Sequence, residues 1–185
     1  MEDPLSSYAA VVLAGGTGER LGGVDKAALV VDRRTLLDHA LASFVGAGEV
    51  VVVGDERPAP AGVRFVREDP PYGGPAAGLL AGRDALTTDP AWLAVLAVDM
   101  PHVTATTWRR LAGAAGDHDG AALVDADGRR QLALLLRTGR LDEVRPAETD
   151  RLAVHRLLAP LDLAGVPAEG REARDLDHPS DLPPV

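Results

Sequence analysis

Three segments of the sequence carry residue types suited to phosphate and nucleotide chemistry. The first runs Leu13-Ala14-Gly15-Gly16-Thr17-Gly18-Glu19-Arg20-Leu21-Gly22-Gly23-Val24-Asp25-Lys26. Five glycines after an apolar run leave backbone N–H groups unobstructed and able to cradle phosphate oxygens, and Arg20 and Lys26 add positive charge. The spacing is not the dinucleotide-binding fingerprint, because Leu21 stands where Gly16-Thr17-Gly18 would need a third glycine. It is not a P-loop either, since Lys26 lies between Asp25 and Ala27. The plainer reading is a glycine-rich turn with a solvated arginine and lysine.

The second segment is Val98-Asp99-Met100-Pro101, where a carboxylate follows the most continuous apolar run in the chain. A carboxylate there suits Mg²⁺, which takes one or two protein carboxylates and completes its shell with phosphate oxygens and water. Capping of the next turn is the alternative. The third is Glu68-Asp69-Pro70-Pro71-Tyr72-Gly73-Gly74-Pro75-Ala76-Ala77-Gly78. Its carboxylates can accept paired hydrogen bonds from a base with adjacent N–H donors, as guanine has, although a rigid Pro/Gly connection has the same composition.

Other chemistries find no support. Cysteine is absent, which excludes disulfides, thiolate metal sites and thiol nucleophiles. His39, His102, His118, His155 and His178 show no metal-ligand spacing, and Ser6, Ser7, Ser43 and Ser180 lie in no nucleophile-elbow context. Asp175-Leu176-Asp177 reads as an acidic tail, with a second carboxylate cluster as the alternative.

The elements that must position these segments alternate along the chain. Tyr8 to Leu13, Glu49 to Val53, Val63 to Val66 and Trp92 to Val98 read as buried strands. Thr35 with Asp38 forms a capping-box start for a helix through Val45, Gly74 to Leu86 reads as a helix, and Thr104 caps a helix through Leu111. Gly120 to Val124 and Gln131 to Leu136 form a hairpin around Asp127-Gly128. Thr149 opens a further helix to Leu158, and Leu161 to Val166 forms a late strand. The implied fold is a Rossmann-like three-layer α/β/α arrangement, with a mostly parallel sheet and a late antiparallel edge hairpin. In such sheets ligands sit beyond the carboxyl ends of strands, which selects the loop after Leu13 and the turn after Val98.

A length of 185 residues fits one domain over 1–185, with no repeat, linker or charge block dividing it. Hydrophobic residues make up 46% and charged residues 25%, as in ordinary globular proteins. The net charge of −9 argues against a broad nucleic-acid or anionic-membrane surface, so an anionic ligand must be met by local charge. Lys26 is the single lysine among 19 basic residues, and isoleucine and asparagine are absent. The apolar start around Tyr8 to Ala14 lacks a basic flank and is too short to span a bilayer, so a cytoplasmic location is expected.

Taken together, Leu-Ala-Gly-Gly-x-Gly-x-Arg-Leu-Gly-Gly-x-Asp-Lys at 13 to 26, Glu68-Asp69, Gly74-Pro75-Ala76-Ala77-Gly78 and Val98-Asp99-Met100-Pro101 resemble the molybdenum cofactor guanylyltransferases, a branch of the nucleotide-diphospho-sugar transferase-like nucleotidyltransferases. The resemblance extends from about Val11 to Leu182. It implies transfer of GMP from GTP to the terminal phosphate of molybdopterin, with Mg²⁺ as cofactor. It further implies that Leu13, Ala14, Gly15, Gly16 and Gly78 line the nucleotide, Lys26 meets its phosphates, Asp69 contacts the nucleoside, and Asp99 binds nucleotide and metal. Arg20 and Gly23 would face the pterin phosphate. Transient contact with cofactor-insertion or chaperone proteins is also implied. The chain departs from the family at Gly54-Asp55-Glu56, where asparagine is frequent, at Gln131-Leu132, where proline follows glutamine, and at Asp175 to Asp181. The same chemistry on CTP or another phosphorylated acceptor, and a non-catalytic nucleotide-binding protein of the same fold, are the alternatives.

Overall fold

A computed structural model of the protein describes residues 3–15, 25–69, 73–149 and 151–176. After a 3₁₀ turn at Pro4–Ser6 come β1 (Tyr8–Leu13), a second 3₁₀ turn at Lys26–Ala28, β2 (Val30–Val31), β3 (Arg34–Thr35) and α1 (Leu36–Ser43). The chain continues through β4 (Glu49–Val53), β5 (Val63–Val66), α2 (Pro75–Asp84), β6 (Trp92–Ala97) and α3 (Ala105–Ala115). It closes with β7 (Gly120–Val124), β8 (Arg130–Arg137), α4 (Thr138–Glu143), α5 (Val154–Leu157) and β9 (Leu163–Pro167).

Seven strands form one sheet in the order β5-β4-β1-β6-β8-β7-β9, and β8 alone among them runs antiparallel to its neighbours. Strand alternation sends Ala10 and Val12 of β1 to one face, against Leu36, Leu37, Phe44, Trp108 and Leu111 from the α1 and α3 side. Ala9 and Val11 point to the other face, against Leu79, Leu80, Leu141 and Leu157 from α2, α4 and α5. Both faces of the central strands are therefore covered, as their unbroken apolar sequences require.

Several features have local causes. The Thr35–Asp38 capping box forms as the sequence predicts, with Asp38 N donating to Thr35 Oγ1 at 3.0 Å and Thr35 N donating to Asp38 Oδ2 at 3.1 Å. The antiparallel hairpin also forms, but β9 pairs parallel with β7 outside it and takes the edge position. Pro167, which has no N–H to donate, is tolerated there because β9 has one neighbour. The helix expected from Thr149 begins only at Val154. Arg151 adopts φ 53°, outside the helical region, and its amide donates to Gly73 O at 2.9 Å instead. The β2–β3 hairpin and α4 have no counterpart in the sequence expectations; in the former, Asp32 and Arg33 both take left-handed φ values, of 47° and 69°.

Gly82 fixes how closely α2 lies on the sheet. A Cβ there would meet Val11 Cγ1 at 2.5 Å, and Val11 Cγ2 and Val53 Cγ2 at 3.0 Å. At an exposed helix position Gly→Ala stabilises by about 1 kcal/mol. Here the two valines are buried and stiff at χ1, so Gly82→Ala is expected to destabilise by about 1–3 kcal/mol, read from urea denaturation.

Glu49 ties the start of β4 to the loop before β6. Its carboxylate accepts from the backbone amide and hydroxyl of both Thr87 and Thr88, with distances of 2.9 to 3.2 Å, and pairs with Arg64. Burial works to raise its pKa, but these donors overcome it and bring the value from 4.5 down to about 2. A carboxyl held below its unfolded value stabilises the fold above that value, and the contribution is lost as pH falls toward the folded one. Stability should therefore drop between pH 4.5 and about 2, and Glu49→Gln should flatten that part of a melting-temperature profile.

Candidate active site

Strand register builds the site. Leu13 of β1 is level with Val53 of β4 and with Ala97 of β6, so three parallel strands end in one row. The residues beyond them are held by continued hydrogen bonding: Ala14 N to Val53 O at 2.9 Å, Gly54 N to Val66 O at 2.8 Å, and Val98 N to Leu13 O at 3.0 Å. Ala14-Gly15, Gly54 and Val98-Asp99 thus stand side by side at the carboxyl edge of the parallel strands. A Cβ at Gly54 would lie 3.1 Å from the Ala14 carbonyl carbon, so glycine permits this close approach of two strand ends.

Lys26 reaches this row from the far end of the glycine-rich loop. Asp25 Oδ1 accepts from Ala27 N at 3.1 Å and caps the 3₁₀ turn, while fully buried Ala27 anchors the turn in the core. The turn directs Lys26 Nζ onto Asp99 Oδ2 at 2.9 Å, across 73 residues of sequence, with the side chains 23% and 19% exposed. Asp99 is held from behind, where Leu176 N donates to its carbonyl at 3.1 Å and Met100 N donates to Ala97 O at 3.3 Å.

Leu13 is half-buried and packs its Cδ2 towards Gly78, whose position on α2 also faces Val53 Cγ1. The Gly78 amide is used within the helix, donating to Gly74 O at 3.0 Å, so Gly78 brings α2 against the sheet. Gly74, at φ 92°, caps α2 ahead of Pro75. Gly15 is exposed, and a Cβ on it would lie 3.9 Å from Glu68 Oε2, which puts Glu68 beside the loop. Asp69 is exposed. Gly16, Arg20, Gly23 and Asp177 lie outside the described residues.

One residue at the site escaped the sequence reading. Arg57, from the loop after β4, pairs with Asp25 Oδ2 and so connects that loop to the turn carrying Lys26. Its side chain is 14% exposed. A single long cation in the Pro- and Ala-rich stretch Arg57 to Gly62, with no local carboxylate at helical spacing, was the available signal. The histidines take structural partners where partners are seen: His39 Nε2 lies 2.9 Å from Val31 O, and His118 Nδ1 lies 2.7 Å from Asp162 Oδ2.

The donor set fits a hard divalent cation of the Mg²⁺ type. Asp99 offers a carboxylate at the ligand edge, and among the described residues no group of three or more His, Cys, Asp or Glu forms a cage. Mg²⁺ characteristically relies on one or two carboxylates, with substrate phosphates and water supplying the rest. Among the described residues, no helix is long and apolar enough to cross a membrane.

Residues 10–165 match the family described as MobA-like NTP transferase domain. A protein of Acidiphilium cryptum named molybdenum cofactor guanylyltransferase is 44% identical over 121 residues, which are 62% of this chain and 62% of that protein. The match thus spans less than two thirds of that relative's length. A solved structure of a nucleotidyl transferase from Methanothermobacter superposes with a TM-score of 0.70 at 26% identity, covering 95% of this chain and 94% of the other. The molybdopterin-guanine dinucleotide biosynthesis protein A of Archaeoglobus fulgidus, 20% identical with a TM-score of 0.69 and 94% coverage of both chains, shares the fold.

Proposed function

The chain belongs to the MobA-like NTP transferase domain family, and on that premise we propose that it transfers GMP from GTP to the terminal phosphate of molybdopterin, releasing pyrophosphate and forming molybdopterin guanine dinucleotide. The observation that carries this reading is the Lys26–Asp99 pair, set beside Ala14-Gly15 at the aligned ends of three strands.

The acceptor phosphate attacks the α-phosphorus of GTP while the bond to the bridging oxygen of the β-phosphate breaks. A phosphomonoester has its second pKa near 6 and is largely ionised at neutral pH, so the protein needs no general base. What it must supply is alignment and charge neutralisation. Arg57 and Lys26 are already paired with Asp25 and Asp99, so a triphosphate arriving there needs a further counter-charge. Asp99 would hold Mg²⁺, which when bound would supply that charge and polarise the phosphoryl oxygens.

Lys26 holds Asp99 in position and presents its ammonium to the α- and β-phosphates, where negative charge grows as pyrophosphate leaves. Gly15 and Gly16 give backbone amides to the nucleotide, Ala14, whose own amide is engaged by Val53 O, lines it, and Arg20 meets the acceptor phosphate. Asp69 accepts from the guanine N–H donors at the rim. A cytoplasmic enzyme with small-molecule substrates fits this chemistry.

Base reading is tested by isothermal titration of Asp69→Asn and Glu68→Gln with GTP, CTP and ATP in the presence of Mg²⁺. The amide keeps the carboxylate's shape but replaces half its acceptor capacity with a donor. Asp69→Asn should weaken GTP about tenfold or more and leave CTP and ATP nearly unchanged. An equal loss for all three would assign Asp69 to ribose contact or loop structure. A GTP-specific loss in Glu68→Gln instead would transfer the role to Glu68.

A further inference from the structure

Glu172 is a deeply buried carboxylate, with 8% of the residue's surface exposed. A buried charge persists only where donors satisfy it, so its partners indicate its purpose. Thr107 Oγ1 donates to Oε1 at 2.6 Å, and Arg110 Nη1 and Glu169 N donate to Oε2 at 2.7 and 2.8 Å. Burial pushes its carboxyl pKa up, and these donors more than offset it, so the group is held below the ordinary glutamate value.

The network runs to Asp99 by two routes. On one side, Thr107 Oγ1 accepts from Thr104 N at 3.0 Å and closes the first turn of α3. That turn directly follows the loop leading out of Asp99, where Val103 N donates to Met100 O at 3.3 Å. On the other side, Glu172 holds the segment after β9, which folds through Glu172 N to Glu169 O and Arg174 N to Arg171 O. That segment ends at buried Leu176, whose amide donates to Asp99 O at 3.1 Å. One carboxylate thus joins the helix after the Asp99 loop to the strap behind it.

We propose that Glu172 is a positioning residue for Asp99, latching the strap of residues 168–176 onto α3 so that the Leu176 amide and the α3 N-terminal turn together fix the Asp99 peptide at the ligand edge. The inference rests on the reading of Asp99 as the carboxylate that meets metal and nucleotide. A clamp that served stability alone would need no connection to the Asp99 loop.

The test uses the full chain with Glu172→Gln, Thr107→Val and Thr107→Ser. Glutamine sets an N–H₂ donor against the N–H groups of Arg110 or Glu169, valine removes the Thr107 hydroxyl at nearly constant shape, and serine retains it. Amide hydrogen exchange of the nucleotide-free protein is followed over residues 99–103 and 173–176. GTP is titrated with Mg²⁺ and, separately, with EDTA. In Glu172→Gln and Thr107→Val, exchange at the Leu176 amide should quicken at least tenfold, and GTP binding in Mg²⁺ should weaken about tenfold while binding in EDTA holds. Thr107→Ser should behave as the parent.

Exchange that rises evenly over the molecule, with equal losses of binding in Mg²⁺ and EDTA, would overturn the proposal and leave Glu172 a core clamp. If the parent protein shows no Mg²⁺ dependence, the reading of Asp99 fails. The latch is then judged by exchange alone: local acceleration at Leu176 supports it and unchanged exchange refutes it.

Discussion

Asp99→Ala should reduce pyrophosphate release to background, a loss of roughly a thousandfold or more, because it removes the carboxylate proposed to meet the metal and, with it, the 2.9 Å contact that positions Lys26. The fold should survive. The Lys26–Asp99 pair is partly solvated, at 23% and 19% exposure, and the backbone bond from Leu176 to Asp99 O does not depend on the side chain. A stability loss of about 1 kcal/mol or less is expected. Asp99→Asn separates charge from shape, since its amide oxygen can still accept from Lys26. It should be nearly as inactive as the alanine variant. Near-normal turnover in either variant, measured alongside the melting temperature, would remove Asp99 from the chemistry and leave it the turn-capping role.

Lys26→Ala carries the second largest effect. Removing one charge-stabilising donor from a transition state costs about 2–4 kcal/mol, or roughly 30- to 1,000-fold in rate. The loss should fall on kcat more than on KM, because charge on the departing pyrophosphate develops during the reaction. Lys26→Arg should recover only part of the rate, since a planar fork does not reproduce a compact ammonium, and its longer reach would disturb the 2.9 Å contact with Asp99. Full activity of Lys26→Ala in steady-state kinetics would make the lysine an ordinary partner of Asp99.

The parts of the fold that were legible in the sequence are those set by local pattern. β4 and β5 occupy the spans their apolar runs suggest, and the capping box at Thr35 and Asp38 forms because both partners lie within one turn. The meeting of the segments after Leu13 and Val98 was legible too, because parallel strands that end level leave their following residues side by side. What escaped depends on distant partners. Arg57 finds Asp25 across 32 residues, and Glu172 finds Thr107 across 65, and neither pairing leaves a period in the sequence. Gly82 reads as a weak helix residue until Val11 and Val53 are seen beneath it. The late start of α5 follows from the Arg151 amide bonding to Gly73, a tertiary contact that overrides a cap-like threonine.

Pyrophosphate release measured with GTP, CTP, ATP and UTP, each with purified molybdopterin and Mg²⁺, tests the central claim most directly. Release with GTP should run well above that with the other three and should be abolished when either molybdopterin or Mg²⁺ is withheld. Preferential release with CTP would contradict the assignment of the nucleotide, and no release with any nucleotide while GTP still binds would contradict catalysis itself.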